Sequence, residues 1–332
     1  MHSYRIGELM TSTYFIKEFK DGDQILRFFE LRAKSSRKTR SGQDYLDLKL
    51  GDSTGEISAK LWPEALEKWG KDFEIGSIVK VEGRIEMYRD MSQLIIEKIR
   101  KADEDEVPNV SDVIKSTQYN VDELYEELIV LTETLDPLEL SNYVKEILER
   151  IADQFKRAPA AMMVHHAYRG GLIEHTWSVT QKVLAILEIE PKINRSMAIS
   201  GAILHDIGKL REMAIDARRR TTDGRLIGHI TLGVTFLYEV ALELGLENEP
   251  WLTDLEHILL SHHGEPGFGA PVRPFTREAI LIHFIDNLDS RLKIIDEALL
   301  SVDSEGFSQY NKWLEGRAYS GVIPTPQEVE DV

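Results

Sequence analysis

The stretch Gly201–Leu210, GAILHDIGKL, carries an adjacent histidine and aspartate, His205 and Asp206, inside an apolar run. The apolar residues recur at helical spacing and are Met197, Ala198, Ile199, Ala202, Ile203, Leu204, Ile207 and Leu210. Burying an ionised carboxylate without a partner costs several kcal/mol, so a fold normally supplies a cation, hydrogen-bond donors or a metal ion. The rest of the sequence is therefore expected to provide a partner for Asp206.

The composition is that of a globular chain. Its 332 residues are 42% hydrophobic and 29% charged, which is typical of two or three folded domains. The absence of cysteine excludes disulfides, thiolate metal sites and cysteine nucleophiles, so any metal site must use His, Asp and Glu. No apolar run approaches the length of a membrane span, and the first residues lack a signal-peptide pattern. We therefore expect a cytoplasmic protein with no membrane partner.

Charge is unevenly distributed along the chain. The net charge of −17 argues against a protein that coats nucleic acid non-specifically. However, residues 20–101 hold 17 basic and 15 acidic residues, whereas the remainder holds 23 basic and 42 acidic. The segment Arg32–Arg40, RAKSSRKTR, has five basic residues and no acidic one. This asymmetry indicates two modules with different roles.

The first module has the pattern of β-strands from about Gln24 to Arg100. YLDLKL, residues 45–50, alternates strictly between apolar and polar positions. Turn-forming residues separate the candidate strands at 40–42, 52–55 and 89–92, and a helix-like piece, residues 63–70, lies between the third and fourth. Five strands with a helix in that place match the small Greek-key barrel called the OB-fold.

From Val121 onward, a period of 3.6 residues dominates, which predicts helices. The predicted fold class is therefore multidomain, a small five-stranded β-barrel (OB-fold) followed by an all-α helical bundle. The expected divisions are an N-terminal segment 1–19, the barrel 20–101, an acidic linker 102–119, the all-α domain 120–315 and a C-terminal tail 316–332.

The all-α domain concentrates histidine, since nine of the ten histidines lie between His165 and His283. A single histidine on an apolar face is usually a core imidazole hydrogen-bonded to the backbone. Five short motifs containing histidine or aspartate in one small module instead favour a metal site, for which imidazole and carboxylate suit Mn, Fe, Co, Ni or Zn. The motifs are centred on His175, on His205 with Asp206, on His229, on His262 with His263, and on Asp286.

The order H…HD…H…HH…D resembles the HD-domain metal-dependent phosphohydrolase superfamily. The resemblance implies that His175, His205, Asp206 and Asp286 bind metal, with Asp206 at the catalytic centre. It also assigns a second ion to His229 and to His262 or His263. Because neighbours on a helix point about 100° apart, the sequence does not decide between His262 and His263.

Several nearby residues have two readings. Lys209 matches the lysine that the superfamily aims at the substrate phosphate, but a lysine there also suits a helix end. Asp289 either orients a ligand histidine or is a surface charge. His166 and Tyr168 either contact substrate phosphate or cap the turn at residues 170–171.

Two divalent ions about 3.5–4 Å apart lower the pKa of a bridging water and hold phosphate oxygens, which predicts hydrolysis of a phosphoester. The expected cofactors are two divalent ions, Mn²⁺ or a similar ion, with Co²⁺, Fe²⁺, Ni²⁺ and Mg²⁺ as alternatives.

The barrel carries candidates for contact with a nucleic-acid strand. OB-folds bind single strands by combining a basic groove with aromatic platforms. The candidates here are Arg32, Lys34, Arg37, Lys38, Arg40, Tyr45, Lys60, Trp62 and Tyr88. The alternative readings are a core position for Trp62 and a solvated surface for the basic turn.

An N-terminal OB-fold joined to an HD domain resembles the YhaM-type 3′→5′ exoribonucleases. The stretches DGDQILRFFELRAKSSRKTRSGQDYLDLKLGDSTGEISAKLW and HHAYRGGLIEHTWSV carry this resemblance. It implies a metal-dependent enzyme that removes nucleotides from the 3′ end of single-stranded RNA and releases nucleoside 5′-monophosphates. Action on ssDNA and assembly into a homo-oligomer stay open. The alternatives are a phosphohydrolase of small nucleotides (a cyclic dinucleotide, a dNTP or an alarmone) and a non-catalytic nucleic-acid-binding protein.

Overall fold

The structure, a computed structural model, describes residues 15–70, 72–89, 91–161, 168–214 and 219–321. Contacts within the chain divide it into two compact units. The first comprises residues 1–116 with 214–219, and the second comprises residues 117–213 with 220–332.

The first unit is a closed five-stranded barrel. Its elements are β1 (Gln24–Lys38), β2 (Asp44–Gly51), β3 (Glu56–Leu61), helix α1 (Pro63–Trp69), β4 (Ile78–Tyr88) and β5 (Met91–Lys101). The strands close in the order β1-β2-β3-β5-β4, with a parallel contact between β3 and β5. The alternation in YLDLKL places Leu46, Leu48 and Leu50 in the core, because successive side chains of a strand face opposite sides. The predicted OB-fold is confirmed.

Two local expectations for this unit need correction. Met91 and Ser92, predicted in a turn, are the first residues of β5 and pair with the end of β4. The acidic stretch predicted as a linker contains short 3₁₀ helices at Glu104–Glu106 and Val110–Asp112, and its Val107 and Val113 are buried in a cluster with Phe28 of β1. The sequence does not reveal this packing, because the buried valines are isolated among acidic and polar residues.

The second unit consists mainly of helices. They are α2 (Val121–Thr132), α3 (Leu138–Arg157), α4 (Gly171–Leu187), α5 (Arg195–Leu204), α6 (Lys209–Glu212), α7 (Thr222–Leu226), α8 (His229–Leu244), α9 (Pro250–Ser261) and α10 (Arg277–Leu299). Two short strands, β6 (Met213–Ala214) and β7 (Arg219–Arg220), precede α7. Side-chain oxygens of Asn120, Asn194 and Thr276 accept backbone N–H groups in the first turns of α2, α5 and α10, which satisfies donors that a helix leaves free. None of the helices among the described residues combines the length and apolar character needed to span a bilayer.

The end of the chain differs from the expected all-α domain and tail. The last helix, α10, ends at Leu299, and residues 300–321 form turns and isolated bridges such as Phe307 with Tyr319. Ala318 is buried and exchanges hydrogen bonds with Ser308, so residues 316–321 pack back onto this segment. Residues 322–332 of the predicted tail lie outside the described residues.

Candidate metal centre

Five helices of the second unit bring the predicted metal ligands together. His175 lies inside α4 and Asp286 inside α10, which packs against α4 and α5. His205 caps the C-terminal end of α5, His262 caps that of α9, and His229 is the first residue of α8. Asp206 directly follows His205, and His263 directly follows His262. Where a helix ends, two neighbouring residues can direct their side chains toward the same site, which neighbours inside a continuous helix cannot do.

One group of ligand atoms surrounds the Nε2 atom of His175. This nitrogen lies 3.2 Å from Nε2 of His205, 3.4 Å from Oδ2 of Asp206 and 3.2 Å from Oδ1 of Asp286. All four side chains are largely or fully buried. The predicted ligands of a first ion therefore converge on one point.

A second group lies on the other side of Asp206. Its Oδ1 atom is 3.6 Å from Nε2 of His229 and 3.7 Å from Nε2 of His262. His263 belongs to the same group, since one ring nitrogen of each of the three histidines lies within 4.8 Å of the others. The two oxygens of Asp206 thus face different groups, as a bridging carboxylate would.

The histidines are oriented by acceptors on their opposite ring nitrogens. The Nδ1–H groups of His205, His262 and His263 donate to the carbonyl oxygens of Ala202, Leu259 and Phe268 at 2.9, 2.7 and 2.9 Å. Nδ1 of His175 donates to Asp289 Oδ2 at 2.7 Å, and Nδ1 of His229 faces Glu212 Oε2 at 3.5 Å. A donated Nδ1–H leaves the Nε2 lone pair for a metal ion, which is the arrangement found around metal-bound histidines.

Three buried polar atoms at this centre have no hydrogen-bond partner among the described residues. They are Oδ1 of Asp206, Nε2 of His229 and Nε2 of His262. Leaving buried acceptors unpaired costs about 1–3 kcal/mol each, so their clustering at one point requires an explanation. A divalent ion with nitrogen and oxygen ligands supplies it, and the residues present fit such an ion.

Electrostatics at the centre follow from burial and the three aspartates. Burial by itself would lower the pKa of His175, but hydrogen bonds with Asp206, Asp286 and Asp289 outweigh it and raise that pKa well above its usual range. Burial opposes ionisation of Asp206, yet Lys209 and His205 hold its pKa well below the usual value. Burial and neighbouring imidazoles lower the pKa of His262. Asp206 is therefore ionised and His262 is neutral near pH 7.

The turn that follows Asp206 approaches the start of α8 very closely. A Cβ atom built on Gly208 would lie 1.9 Å from the carbonyl oxygen of His229 and 2.5 Å from the backbone nitrogen of Gly233. Only glycine permits this approach. Gly208 thus allows the turn after Asp206 to contact α8, the helix that begins with His229.

Other residues of the prediction occupy varied positions. Nζ of Lys209 contacts Asp206 Oδ2 at 2.5 Å, next to the ligand groups. Tyr168 is buried and its hydroxyl donates to Glu174 at 2.8 Å, which does not favour the reading in which it contacts substrate phosphate. His166 lies outside the described residues. Asp289 is buried and accepts a hydrogen bond from His175 at 2.7 Å, which favours the orienting reading over that of a surface charge.

Glu212 and Glu174 were missed by sequence reasoning. Glu212 is buried beside His229, whose proximity lowers the pKa of this carboxyl against the opposing effect of burial. Glu174 is buried between the hydroxyl of Tyr168 and the ammonium of Lys293, at 2.8 and 3.0 Å. The only available signal was their position beside motif residues, Glu174 preceding His175 and Glu212 ending the HDIGKLRE stretch.

On the barrel, an aromatic and basic face forms across β1, β2 and β3. The rings of Tyr45 and Trp62 lie 4.8 Å apart, and Nζ of Lys60 lies 5.7 Å from the centre of the Tyr45 ring. Arg37 pairs with Tyr45 across the strands and its guanidinium lies 3.0 Å from Asp47. Lys38 and Arg40 are exposed at the adjoining β1–β2 turn. The sequence alternative that Trp62 belongs to the core is wrong, because Trp62 is 38% exposed.

Other predicted barrel residues do not join this face. The guanidinium of Arg32 is committed to Glu30 and to the carbonyls of Gly55 and Asp52, while Lys34 donates to the Phe73 carbonyl at 2.8 Å. Both are thereby bound to the barrel's own chain. Tyr88 is exposed but lies in the β4–β5 hairpin, opposite Met91. Trp69, which sequence reasoning missed, lines a groove of about 740 Å³ together with Trp62, Lys68 and Lys98.

Comparison with known families matches both units. A model of the HD domain matches residues 172–291, and a model described as an OB-fold nucleic acid binding domain matches residues 30–102. A third model, described as a putative helicase, matches residues 109–225.

Comparison with individual known proteins finds relatives over almost the whole chain. A protein from Bacillus velezensis named 3′-5′ exoribonuclease YhaM is 31% identical over 299 residues, which is 90% of this chain and 95% of that protein. Proteins with the same name from Geobacillus sp. and Listeria monocytogenes are 32% and 31% identical and cover 92% of this chain. The similarity spans 94% and 97% of those two proteins.

Proposed function

The chain belongs to the family of YhaM-type 3′→5′ exoribonucleases, and we propose that it is itself a metal-dependent exoribonuclease of single-stranded RNA. In this proposal it hydrolyses phosphodiester bonds from the 3′ end and releases nucleoside 5′-monophosphates. It acts in the cytoplasm, and single-stranded DNA is a second candidate substrate.

The observation that carries the proposal is the orientation of the histidines around Asp206. Each of His175, His205 and His262 donates Nδ1–H to an acceptor and turns Nε2 toward the same carboxylate. No arrangement of core imidazoles requires this, because a core imidazole is satisfied by its own hydrogen bonds. We propose that two divalent ions, Mn²⁺ or similar, bind there, with Co²⁺, Fe²⁺, Ni²⁺ and Mg²⁺ as alternatives.

The chain's own residues divide the work around that site. His175, His205, Asp206 and Asp286 would hold one ion, and His229, His262 and His263 would hold the other, with Asp206 shared. Divalent ions, when bound, lower the pKa of a water molecule and neutralise charge on phosphate oxygens. Asp289 fixes the ring of His175 and Glu212 faces that of His229, so both act as positioning residues. Lys209 lies beside Asp206, where its ammonium would offset charge on the substrate phosphate.

The barrel supplies the surface for the strand. We propose that Tyr45 and Trp62 stack with bases, while the exposed Arg37, Lys38 and Arg40 attract phosphates. Arg32, Lys34 and Lys60 are left out, because their side chains are held by the barrel itself, Lys60 through Asp47 at 2.5 Å.

The test follows 5′-labelled single-stranded RNA with metal-stripped protein, with and without added Mn²⁺. We expect a ladder that shortens from the 3′ end only when Mn²⁺ is present, and chromatography should identify nucleoside 5′-monophosphates. A DNA strand of the same sequence measures the preference for RNA.

Two variants complete the test. Asp206→Asn keeps the shape of the side chain but removes its charge, and should abolish hydrolysis while RNA binding persists. Asp254→Asn, an exposed position on α9, serves as the matched control and should leave the ladder unchanged. RNA that stays intact with Mn²⁺, or full turnover by the Asp206 variant, would refute the proposal.

A further inference from the structure

The outward face of α10 carries a continuous apolar stripe. The exposed positions of this helix recur at helical spacing and include Ile280, Phe284, Leu288, Leu292 and Ile295. These five residues are between 36% and 65% exposed, and we call them the α10 stripe. The polar residues at its margins are Arg277, Asn287, Arg291 and Asp296.

The α10 stripe is not the core side of its helix. The opposite side holds Asp286 and Asp289 of the metal centre and the buried residues Ile282 and Ile285. Soluble monomers rarely expose large contiguous apolar patches, and such patches mark interaction surfaces. The stripe runs for about 22 Å along the helix.

The spacing within the stripe is self-complementary. Phe284 and Leu292 lie four residues to either side of Leu288, and Ile280 and Ile295 lie eight and seven residues away. When two copies of α10 pack antiparallel about a two-fold axis at Leu288, Leu288 meets its own copy. Phe284 then meets Leu292 twice, once on each side, because a two-fold interface repeats every contact.

Charge at the two ends favours the same orientation. Arg277 begins the helix, next to Glu278, whose carboxylate accepts from the Asn194 N–H at 2.7 Å, whereas Asp296 lies in the last turn of the helix. Antiparallel packing brings Arg277 of one copy toward Asp296 of the other and toward the negative C-terminal end of that helix. Parallel packing would place like charges together.

The size of the stripe is sufficient for a specific contact. The exposed area of its five residues is roughly 500 Å² per copy, so complete burial of both stripes would remove about 1,000 Å², which is at the lower limit for a biological interface. We therefore propose that two copies of this chain associate through antiparallel α10 stripes, with the two-fold axis at Leu288. This goes beyond the proposed function and does not depend on it.

The first test measures the mass of the full chain in solution by analytical ultracentrifugation at micromolar concentration. The wild type should have twice the chain mass. Leu292→Glu should have the mass of one chain, because it places a charge against Phe284 on both sides of the axis. Phe284→Lys should do the same.

Combining the two changes distinguishes this register from any other. In Phe284→Lys/Leu292→Glu, the introduced lysine of each copy faces the introduced glutamate of the other, so the double mass should return. The two positions lie about 12 Å apart on one helix and cannot pair within a chain. Leu242→Glu, at an exposed leucine of α8, is the matched control and should keep the double mass.

A cross-link tests the axis without destabilising charges. Since the chain has no cysteine, Leu288→Cys introduces a single thiol that meets its own copy at the axis. Mild oxidation with diamide should join two chains, whereas Phe284→Cys, which faces Leu292, should remain largely unlinked. A wild type with the mass of one chain, equal linking of both cysteine variants, or failure of the double variant to restore the dimer would overturn the proposal.

Discussion

At the scale of single residues, the acceptor on Nδ1 separates His175 from the other histidines of the centre. His205, His262 and His263 donate to neutral backbone carbonyls, whereas His175 donates to the carboxylate of Asp289. Asp289 in turn accepts from Ser178 at 2.6 Å and from Lys182 at 2.7 Å. A carboxylate raises the basicity of an imidazole more than a carbonyl does, so Asp289 should strengthen the hold of His175 on a metal ion.

We predict that Asp289→Asn weakens Mn²⁺ binding about 10–100-fold, which is the range for losing a residue that orients a metal ligand. Isothermal titration calorimetry on the metal-stripped protein measures the change, and circular dichroism checks that the fold is kept. Asp254→Asn is the control, because Asp254 is exposed on α9. Equal affinity of the Asp289 variant and the wild type would refute an orienting role.

The raised pKa of His175 predicts that metal binding releases a proton. Without metal, His175 is protonated near pH 7, because three aspartates raise its pKa well above the usual range. Metal needs the deprotonated ring, so the apparent affinity should increase with pH, by about tenfold per unit for one proton, until that pKa is reached. Burial raises the pKa of Asp206 and Asp286, but neighbouring cationic groups and hydrogen bonds outweigh it and lower both pKa values. The two carboxylates are therefore already ionised and release no proton when metal binds.

Calorimetry in two buffers of different ionisation enthalpy at one pH counts the protons. A heat of Mn²⁺ binding that is the same in both buffers would contradict the protonated state of His175. In Asp289→Asn, the number of protons released per bound Mn²⁺ should fall, because one of the three carboxylates that raise the pKa of His175 is gone.

At the scale of elements, the metal centre depends on where helices end. Neighbours inside a helix diverge by about 100°, and for that reason the sequence offered no choice between His262 and His263. In the structure α9 ends at Ser261, so His263 lies beyond the helix and turns toward His229, while His262 faces Asp206. The pattern of apolar residues predicts that a helix exists, but its last residue depends on tertiary contacts.

The close contact between the turn after Asp206 and α8 predicts that Gly208→Ala has a large effect on stability and on metal binding. The added methyl group would overlap the His229 carbonyl, so α8 must move and carry His229 away from Asp206. We expect the unfolding free energy to fall by about 1–3 kcal/mol, the usual cost of overpacking, together with weaker Mn²⁺ binding. Thermal unfolding and calorimetry measure the two effects. Gly267→Ala is the control, because no atom lies within 4 Å of its added Cβ.

At the scale of the whole molecule, the sequence predicts both units but not every contact within them. The alternation in YLDLKL and the spacing of the turns predicted the barrel, whereas the resemblance to the HD superfamily implied which residues meet at the centre. Tyr168, Glu174 and Glu212 lack such a pattern, since Glu174 also contacts Lys293 of α10 and Glu212 faces His229 of α8. The all-α domain was expected to reach residue 315, whereas α10 ends at Leu299 and residues 300–321 form turns and isolated bridges.

The division of charge between the units predicts separable effects on substrates of different size. The region of the barrel, residues 20–101, has a net charge of +2, whereas the rest of the chain has −19, so attraction of an RNA backbone should depend on the barrel. Each stacked base contributes about 1–3 kcal/mol, so Tyr45→Ala/Trp62→Ala should raise KM for a long RNA about tenfold or more. The same variant should hydrolyse a small substrate such as bis(p-nitrophenyl) phosphate as the wild type does, because that substrate needs only the metal centre.

Trp313→Ala provides the matched control for this last prediction, because Trp313 is an exposed aromatic residue of the other unit and should affect neither substrate. If the barrel variant lost activity on both substrates equally, the aromatic face would act on the fold or on the metal centre and not on the strand. If it lost activity on neither, the strand would be held elsewhere. Only a selective loss on long RNA agrees with a barrel that holds the strand and a helical unit that cuts it.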